Sequence, residues 1–303
     1  MRGRSQNLPR TLSEVRGCKF KAQMTNYFAG IDIGSTMTKA VILDAGIIAS
    51  VIGPTGPEHR RLANQVMEQA LQRAGLPFGA ITYIVSTGYG RISVPFADKQ
   101  VTEITCHARG IISLFSKART IIDIGGQDSK AITINAKGRP TNFIMNDKCA
   151  AGSGRFVEVI ADSLGLRLED MGEVSLTSTN PAKISNICTI WAQQEVAARL
   201  AEGVPVPDLV AGVHDSLADR VARMVKRLKV EKDVILTGGG GKNKGLIQAL
   251  SKHLDCEILV PEEPLITGAL GAALLGKDLM EKALASDQPL ETKERVLEEV
   301  EIL

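Results

Sequence analysis

Apolar and polar residues alternate with two different periods along the chain. Short apolar runs that end in glycine turns, such as ITYIVSTGYG at 81–90, predict buried strands. Apolar residues spaced three and four apart predict helices at 60–76, 101–115, 155–164, 189–202 and 207–228. A strand, a glycine turn and a helix follow at 233–250, and a small-residue helix begins at 267–276. The mixture of the two periods predicts an α/β fold.

Two segments of the chain match one another without a gap. IDIGSTMTKAV occupies 31–41, and IDIGGQDSKAI occupies 122–132. Each predicts a strand, a tight glycine turn and a second strand, and the turn offers backbone N–H groups and hydroxyls to an anion. No G-x-x-x-x-G-K-[ST] sequence occurs, which excludes a Walker loop. The matched pair indicates an internal duplication and favours a phosphate clamp over two ordinary hairpins.

Composition narrows the class of protein. The chain has 303 residues, enough for two domains, and its formal net charge of +2 gives no global reason to expect nucleic acid. No apolar run approaches the ~20 residues that a bilayer span needs, so we expect no membrane partner. Residues 1–27 are basic and lack an apolar core, which predicts a disordered leader rather than a secretory signal. The acidic tail at 285–303 includes a stretch, 291–303, that could form an amphipathic helix, and we expect it to be solvated rather than docked.

The cysteines are scattered and odd in number. They are Cys18, Cys106, Cys149, Cys188 and Cys256, and no two form a C-x-x-C pair. This pattern argues against a disulfide framework and against a self-contained zinc site, and it favours a reducing cytoplasm. Cys149, in NDKCAAGSGRF, and Cys188, in SNICTIWA, each directly precede a predicted helix, where the positive helix end favours a thiolate. The alternative for Cys188 is a small apolar residue that simply packs.

Histidines offer weaker signals. Cys106 and His107 are adjacent in a predicted helix, so they point to different sides and do not form a chelate by themselves. His59, His214 and His253 are isolated, and each is interpreted as a surface or capping residue.

The motifs together resemble a known family. Two DIG hairpins and the later glycine turn LTGGGGKNKG resemble the actin, sugar-kinase and heat-shock-chaperone ATPases. Four further motifs narrow the resemblance to the ATP-dependent activators of 2-hydroxyacyl-CoA dehydratases and the related ATPase subunits of benzoyl-CoA reductases. These motifs are STGYGR, TEITCHARG, NDKCAAGSGRF and ICTIWAQQEV. The resemblance covers about residues 28–276. It implies a duplicated actin-like (ribonuclease H-like) fold, with two lobes and a nucleotide cleft between them.

The resemblance also implies lobe boundaries. The first lobe would span 28–120 and be joined by a C-terminal helix at 264–284. The second lobe would span 121–263 and contain both Cys149 and Cys188.

A nucleotide site follows from the two hairpins and the resemblance. ATP or ADP with Mg²⁺ would lie between two turns, formed by Gly34, Ser35 and Thr36 and by Gly125, Gly126 and Gln127. Asp32 and Asp123 suit the metal, because Mg²⁺ prefers carboxylate oxygens. Lys39 could pair with phosphate or point elsewhere, and either Gln127 or Asp128 could orient the attacking water. By resemblance the adenosine would lie over a glycine run, whose alternative role is a flexible loop: Gly238, Gly239, Gly240 and Gly241.

Cys149 and Cys188 would supply half of an iron–sulfur site, since such clusters usually take four thiolates. A symmetric dimer would complete the set. The resemblance implies one [4Fe–4S] cluster shared across a homodimer, or across a heterodimer with a homologous subunit.

The implied function is ATP hydrolysis coupled to electron transfer. Reduced ferredoxin or flavodoxin would supply single low-potential electrons, and ATP-driven lobe movement would deliver them to an acyl-CoA enzyme. Three features favour the ATPase subunit of a benzoyl-CoA reductase: STGYGR, the stretch at 97–110 and the N-terminal leader. The alternative is an activator of a 2-hydroxyacyl-CoA dehydratase. Other classes remain open, namely an actin-fold small-molecule kinase and a nucleotide-binding regulator without a cluster.

Overall fold

The fold consists of two five-stranded mixed sheets with the same internal plan. A computed structural model describes residues 26–185 and 187–297. The first sheet has the order β3-β2-β1-β4-β5 and comprises β1 (Tyr27–Ile33), β2 (Met37–Leu43), β3 (Ile47–Pro54), β4 (Ile81–Thr87) and β5 (Lys99–Gln100). The second has the order β10-β9-β6-β7-β8 and comprises β6 (Thr120–Ile124), β7 (Ser129–Ile134), β8 (Pro140–Asn146), β9 (Val234–Thr237) and β10 (Ile258–Leu259).

The sequence duplication extends to strand register. In β1 and β2, Asp32 pairs with Lys39 across an antiparallel ladder. In β6 and β7, Asp123 pairs with Lys130 in the same way. In each sheet a third antiparallel strand extends the hairpin, and a parallel strand flanks its first strand. The two DIG turns therefore occupy equivalent places in two copies of one unit.

Eight helices pack on these sheets within the described residues. They are α1 (His59–Ala74), α2 (Glu103–Leu114), α3 (Gly154–Leu164), α4 (Met171–Leu176), α5 (Thr189–Ala201), α6 (Val206–Val225), α7 (Lys244–Leu254) and α8 (Thr267–Ser286). The helices predicted from periodicity lie within a few residues of these bounds, whereas α4 is too short to produce a periodic signal. No helix in the described part of the chain is long and apolar enough to cross a membrane.

Apolar burial sets the position of each helix. On the first sheet, α1 covers one face and α8 covers the other. On the second sheet, α3, α6 and α7 enclose the largest core, around Phe156, while α2 packs on the opposite face against Ile121 and Ile132. The chain thus buries both faces of both sheets, as α/β folds do.

Two helices cross where the first sheet leads into the second. A Cβ atom at Gly110 of α2 would overlap the carbonyl oxygen of Thr267, and one at Gly271 of α8 would overlap the carbonyl oxygen of Cys106. Only glycine allows the two backbones to approach this closely. Because α2 connects the sheets along the chain, this crossing lies at the junction between the lobes.

The C-terminal segment differs from its prediction. Residues 288–297 follow α8 without forming a helix. Arg295 pairs with Asp98 through both terminal nitrogens, at 2.9 and 2.7 Å, and the Asp98 side chain is completely buried. The expectation of a solvated tail is therefore wrong for this part, because the buried Asp98 carboxylate requires a cation. The rest of the tail, 298–303, and the predicted leader up to residue 25, with Cys18, lie outside the described residues.

Candidate functional site

A cleft of about 730 Å³ lies between the two sheets. Both DIG turns line it, as does the start of the glycine run after β9. Of the predicted nucleotide-site residues, the structure brings thirteen to this cleft: Asp32, Gly34, Ser35, Thr36, Lys39, Asp123, Gly125, Gly126, Gln127, Asp128, Gly238, Gly239 and Gly240. Gly241 lies behind this surface, where an added Cβ would be 2.9 Å from Cβ of Pro264. The volume suits a nucleotide-sized ligand.

The two turns face each other and have the same internal hydrogen bond. The N–H of Gly34 donates to the carbonyl of Met37 at 3.1 Å, and the N–H of Gly125 donates to that of Asp128 at 3.0 Å. A Cβ atom at Gly126 would overlap the side chain of Thr36 in the opposite turn. The turns therefore touch across the cleft, and glycine at 126 makes that approach possible.

Buried ion pairs lie at the base of the cleft. Nζ of Lys39 is 3.1 Å from Oδ2 of Asp32, and Lys39 lines the cleft. Nζ of Lys130 is 3.2 Å from Asp123 and 2.7 Å from Asp128, with Glu103 at 3.6 Å. The side chains of Lys39, Asp32, Asp123 and Lys130 are all nearly inaccessible to solvent.

These contacts determine the charge state of the carboxylates. Burial alone would raise the pKa of Asp123, but the electrostatic interactions with His107 and Lys130 outweigh burial and hold this pKa below its ordinary value. Burial would lower the pKa of Lys130, yet the three surrounding carboxylates raise it above its ordinary value. Asp123 is therefore ionised at neutral pH and is a hard oxygen donor suited to Mg²⁺.

Helix α2 places two further residues in the cleft that the sequence analysis did not assign to the site. Glu103 and His107 are four residues apart and line the same cavity, and burial raises the pKa of Glu103. Nε2 of His107 is 3.8 Å from Oδ2 of Asp123. The i, i+4 spacing in TEITCHARG was the signal that could have identified them.

A hydroxyl chain fixes the other side of the His107 ring. The hydroxyl of Thr237 donates to the carbonyl of Pro264 at 2.7 Å, and the hydroxyls of Thr237 and Thr267 are 2.5 Å apart. Nδ1 of His107 lies 3.0 Å from the hydroxyl of Thr267. Nε2 is therefore the ring atom that faces the cleft.

The adjacent Cys106 points away from the cleft. It is completely buried in the core of the first lobe, and burial raises the pKa of its thiol to about 12. Cys106 and His107 thus face different surroundings, in agreement with the expectation that they do not chelate a metal together.

Cys149 and Cys188 have a different environment. Both are free and partly exposed. Cys149 precedes a turn at Ala150–Gly152 that leads into α3, and Cys188 is the residue before α5. Large apolar side chains are exposed around Cys188: Ile187, Ile190 and Trp191. Among the described residues no group of three or more potential metal ligands occurs, so the two thiols are at most half of a four-ligand set.

Direct hydrogen bonds connect the second DIG turn to the cysteine segment around Cys149. The N–H of Gly154 donates to the carbonyl of Gly125, and the N–H of Arg155 donates to that of Gly126, both at 2.8 Å. The amide of Asn146, at the end of β8, donates to the carbonyl of Cys149 at 2.8 Å. These bonds join the Gly125–Gly126 backbone directly to the residues that follow Cys149.

The isolated histidines follow their predictions in two of three cases. His59 and His253 are partly exposed at helix ends. The prediction for His214 is wrong, because it is 1% exposed within α6. Its Nε2 contacts Nδ2 of Asn243 at 2.9 Å, and burial lowers its pKa to about 4.

Comparison with known proteins identifies a family-level match. The signature of the BadF/BadG/BcrA/BcrD ATPase family matches residues 29–276. The chain is 44% identical over 259 residues to the 2-hydroxyisocaproyl-CoA dehydratase activator of Clostridioides difficile, covering 83% of this chain and 95% of the relative. It is 32% identical over 267 residues to one of the benzoyl-CoA reductase subunits of Thauera aromatica, covering 84% and 94%.

A solved structure extends the match to three dimensions. The activator of the 2-hydroxyisocaproyl-CoA dehydratase from Clostridium difficile with bound ADPNP aligns at a TM-score of 0.81 and 41% identity, over 88% of this chain and 100% of that one. The predicted actin-like α/β fold is confirmed. The preference for a benzoyl-CoA reductase ATPase is not the better supported one, because the dehydratase activator is the more similar relative.

Proposed function

Because the chain belongs to the BadF/BadG/BcrA/BcrD ATPase family, we propose that it is an ATP-hydrolysing iron–sulfur protein that passes single low-potential electrons to a 2-hydroxyacyl-CoA dehydratase. The observation that supports this most is the pair of hydrogen bonds from Gly154 and Arg155 to Gly125 and Gly126. It joins a nucleotide turn to a cysteine segment, which neither a kinase nor a simple nucleotide-binding regulator requires.

Different residues of the cleft would bind different parts of the nucleotide. The phosphates would lie between the turns at Gly34–Thr36 and Gly125–Gln127, because turns of this kind can bind anions through backbone N–H groups that are not used inside the turn. Asp32 and Asp123 would hold Mg²⁺, directly or through its waters. The adenosine would lie along Gly238–Gly240. Gly241 supports that run from behind, against Pro264.

Hydrolysis needs a residue that orients water. Asp128 is held by Lys130 at 2.7 Å, whereas Gln127 is exposed in the turn. We therefore assign water orientation to Gln127. Nε2 of His107 faces the same cleft, 3.8 Å from Oδ2 of Asp123.

Cys149 and Cys188 fit the ligands of an iron–sulfur cluster better than Cys106 and Cys256, whose thiol pKa values are both raised by burial. A thiolate is the species that binds metal, and the buried Cys106, with its raised pKa, is unsuited to that role. Cys149 and Cys188 would hold one side of a [4Fe–4S] cluster, and a second copy or a homologous subunit would hold the other. Such a cluster, when bound, accepts and releases one electron at a time.

The chain's own contacts then couple the nucleotide to the cysteines. Nucleotide-dependent movement of the Gly125–Gly126 backbone pulls on the start of α3. Helix α3 contacts α5 through Gln193 Nε2 and Ser163 Oγ, 2.8 Å apart, and α5 begins directly after Cys188. Differential contacts with ATP and ADP would therefore shift the orientation of both cysteine segments.

A reconstitution assay tests this function. Protein purified without oxygen is added, with a reductant and MgATP, to a 2-hydroxyacyl-CoA dehydratase freed of its own activator. We expect ATP-dependent dehydratase activity that is absent with ADP and lost in Cys149→Ser and Cys188→Ser. The matched control Cys256→Ser changes a partly buried thiol outside both segments and retains activity. Activation of a benzoyl-CoA reductase instead would establish the other acceptor and overturn the proposal.

A further inference from the structure

A second cavity, of about 500 Å³, lies on the second lobe beside both cysteine segments. Three arginines at the end of α6 line it: Arg220, Arg223 and Arg227. Ile187, next to Cys188, and Gly152, in the turn after Cys149, also line it. We call this site the arginine cavity.

The arginines form a positively charged stripe. Arg220 to Arg227 spans seven residues, on the order of 10 Å at the helical rise of ~1.5 Å per residue. Arg223 pairs with Asp219 on its own helix, a half-exposed contact of the kind that adds little energy. A Cβ atom at Gly152 would lie 3.2 Å from Nε of Arg220, so this guanidinium reaches the turn after Cys149.

A buried hydroxyl in the same cavity points to a ligand. Ser129 is 1% exposed and lines the cavity, and its Oγ has no hydrogen-bond partner among the described residues. Its counterpart in the first repeat, Thr38, is satisfied by the hydroxyl of Thr55 at 2.8 Å. The cross-strand neighbour of Ser129 is Asn146, whose amide nitrogen donates to Cys149 instead. A buried polar group without a partner is costly, so a hydrogen-bonding ligand in this cavity would be favourable.

The shape and lining favour a protein surface over a small anion. The cavity is many times larger than the ~30 Å³ that one water occupies in the liquid. Its apolar wall includes Met145, Met224 and the 70% exposed Ile187. Methionine and arginine are enriched at protein interfaces, where charge complementarity guides association.

We propose that the arginine cavity docks an acidic face of the redox protein that supplies the electron. This inference rests on the proposed function and names the surface its donor would use. None of the three arginines lines the nucleotide cleft, and Met145 is the residue of the apolar wall that lines both cavities. The docked donor gives up one electron and no atom, so the exchange needs only close approach to the cysteine segments.

Binding of an acidic flavodoxin, in its oxidised form, tests the surface without any electron transfer. Calorimetry at low and high salt compares the anaerobically purified protein with R223E/R227E. We expect the dissociation constant to rise about tenfold in the variant and to rise with salt in the parent protein. The control K137E/K252E makes the same change of charge at exposed sites of the same lobe, and its affinity stays within about twofold. R223Q/R227Q removes charge without reversal and weakens binding in the same direction.

Several outcomes would overturn the proposal. The proposal fails if flavodoxin does not bind the parent protein, or if the parent protein and R223E/R227E bind it equally. It also fails if R223E/R227E loses only its binding of the dehydratase. Binding of inorganic phosphate that R223E/R227E abolishes, with flavodoxin unaffected, would instead identify a small-anion site. Iron content is measured on every sample. Protein that lacks iron but shows arginine-dependent docking refutes the proposed function alone, and iron-loaded protein with arginine-independent docking refutes this inference alone.

Discussion

The backbone N–H of Gly154 donates a hydrogen bond to the carbonyl oxygen of Gly125 over 2.8 Å. Gly125 belongs to the second DIG turn. Gly154 is the first residue of α3, the helix that follows the turn after Cys149. A nucleotide that repositions the turn must therefore stretch this bond or move the helix. Because two adjacent bonds of this kind occur in parallel, moving the helix is the expected response.

Gly126→Ala should keep the two DIG turns from approaching each other across the cleft. The new methyl group would overlap Thr36, so we expect the rate of ATP hydrolysis to fall at least about tenfold. Gly79→Ala, where an added Cβ has open space, should leave the rate unchanged. Thr36→Ser in the Gly126→Ala background removes the overlapping methyl and should restore part of the activity. Equal rates in both alanine variants would refute the predicted contact.

Lys130→Met should destabilise the cleft strongly. It leaves Asp123 without its ammonium partner in a buried site, so we expect a loss of about 3–5 kcal/mol in the free energy of unfolding and weaker Mg²⁺-ATP binding. Lys242→Met breaks an exposed pair with Glu263 and should cost less than about 1 kcal/mol. Denaturant unfolding and nucleotide titration measure both. Similar losses in the two variants would contradict the assigned role of Lys130.

Stability should fall as the pH drops from about 6.5 to about 4. Burial lowers the folded-state pKa of His214 to about 4, so the unfolded chain binds a proton first. The stabilisation is complete above the unfolded pKa of ~6.5 and is lost as pH falls toward 4, by about 3 kcal/mol in total. His214→Gln should flatten this part of the profile, whereas His253→Gln, at a partly exposed site, should not. An unchanged slope in His214→Gln would refute the prediction.

Arg295→Met should destabilise the first lobe although residue 295 is near the end of the chain. The change leaves the completely buried Asp98 carboxylate unpaired, at a cost of about 3–5 kcal/mol in the free energy of unfolding. Asp98→Asn in the same chain removes the charge and should recover much of that loss. Thermal and denaturant unfolding compare the single and double variants. A neutral Arg295→Met would show that the tail is solvated after all.

Local patterns in the sequence predicted much of the fold and the nucleotide cleft. The DIG hairpins were predictable because turn, strand and register are short-range properties repeated twice in the chain. Glu103 and His107 were missed because only the packing of α2 decides which helix face meets the cleft. The pairing of Arg295 with Asp98 joins residues 197 positions apart, and a single sequence contains no signal for such a contact. His214 was misassigned because burial in α6 depends on α7, which packs against it.

The sequence alone was a weaker guide to the choice between the two acyl-CoA enzymes. The order of preference between two acyl-CoA enzymes rested on two short stretches of sequence and the N-terminal leader. Similarity over most of the chain was needed to favour the dehydratase activators.

Iron content and oligomeric state, measured together on protein purified without oxygen, test the proposed function most directly. If Cys149 and Cys188 supply half of a shared cluster, two chains should elute together with about four irons. Cys149→Ser and Cys188→Ser should each lose the iron, while Cys256→Ser keeps it. Iron-free protein, or iron that survives both cysteine substitutions, would contradict the proposed role of these two residues.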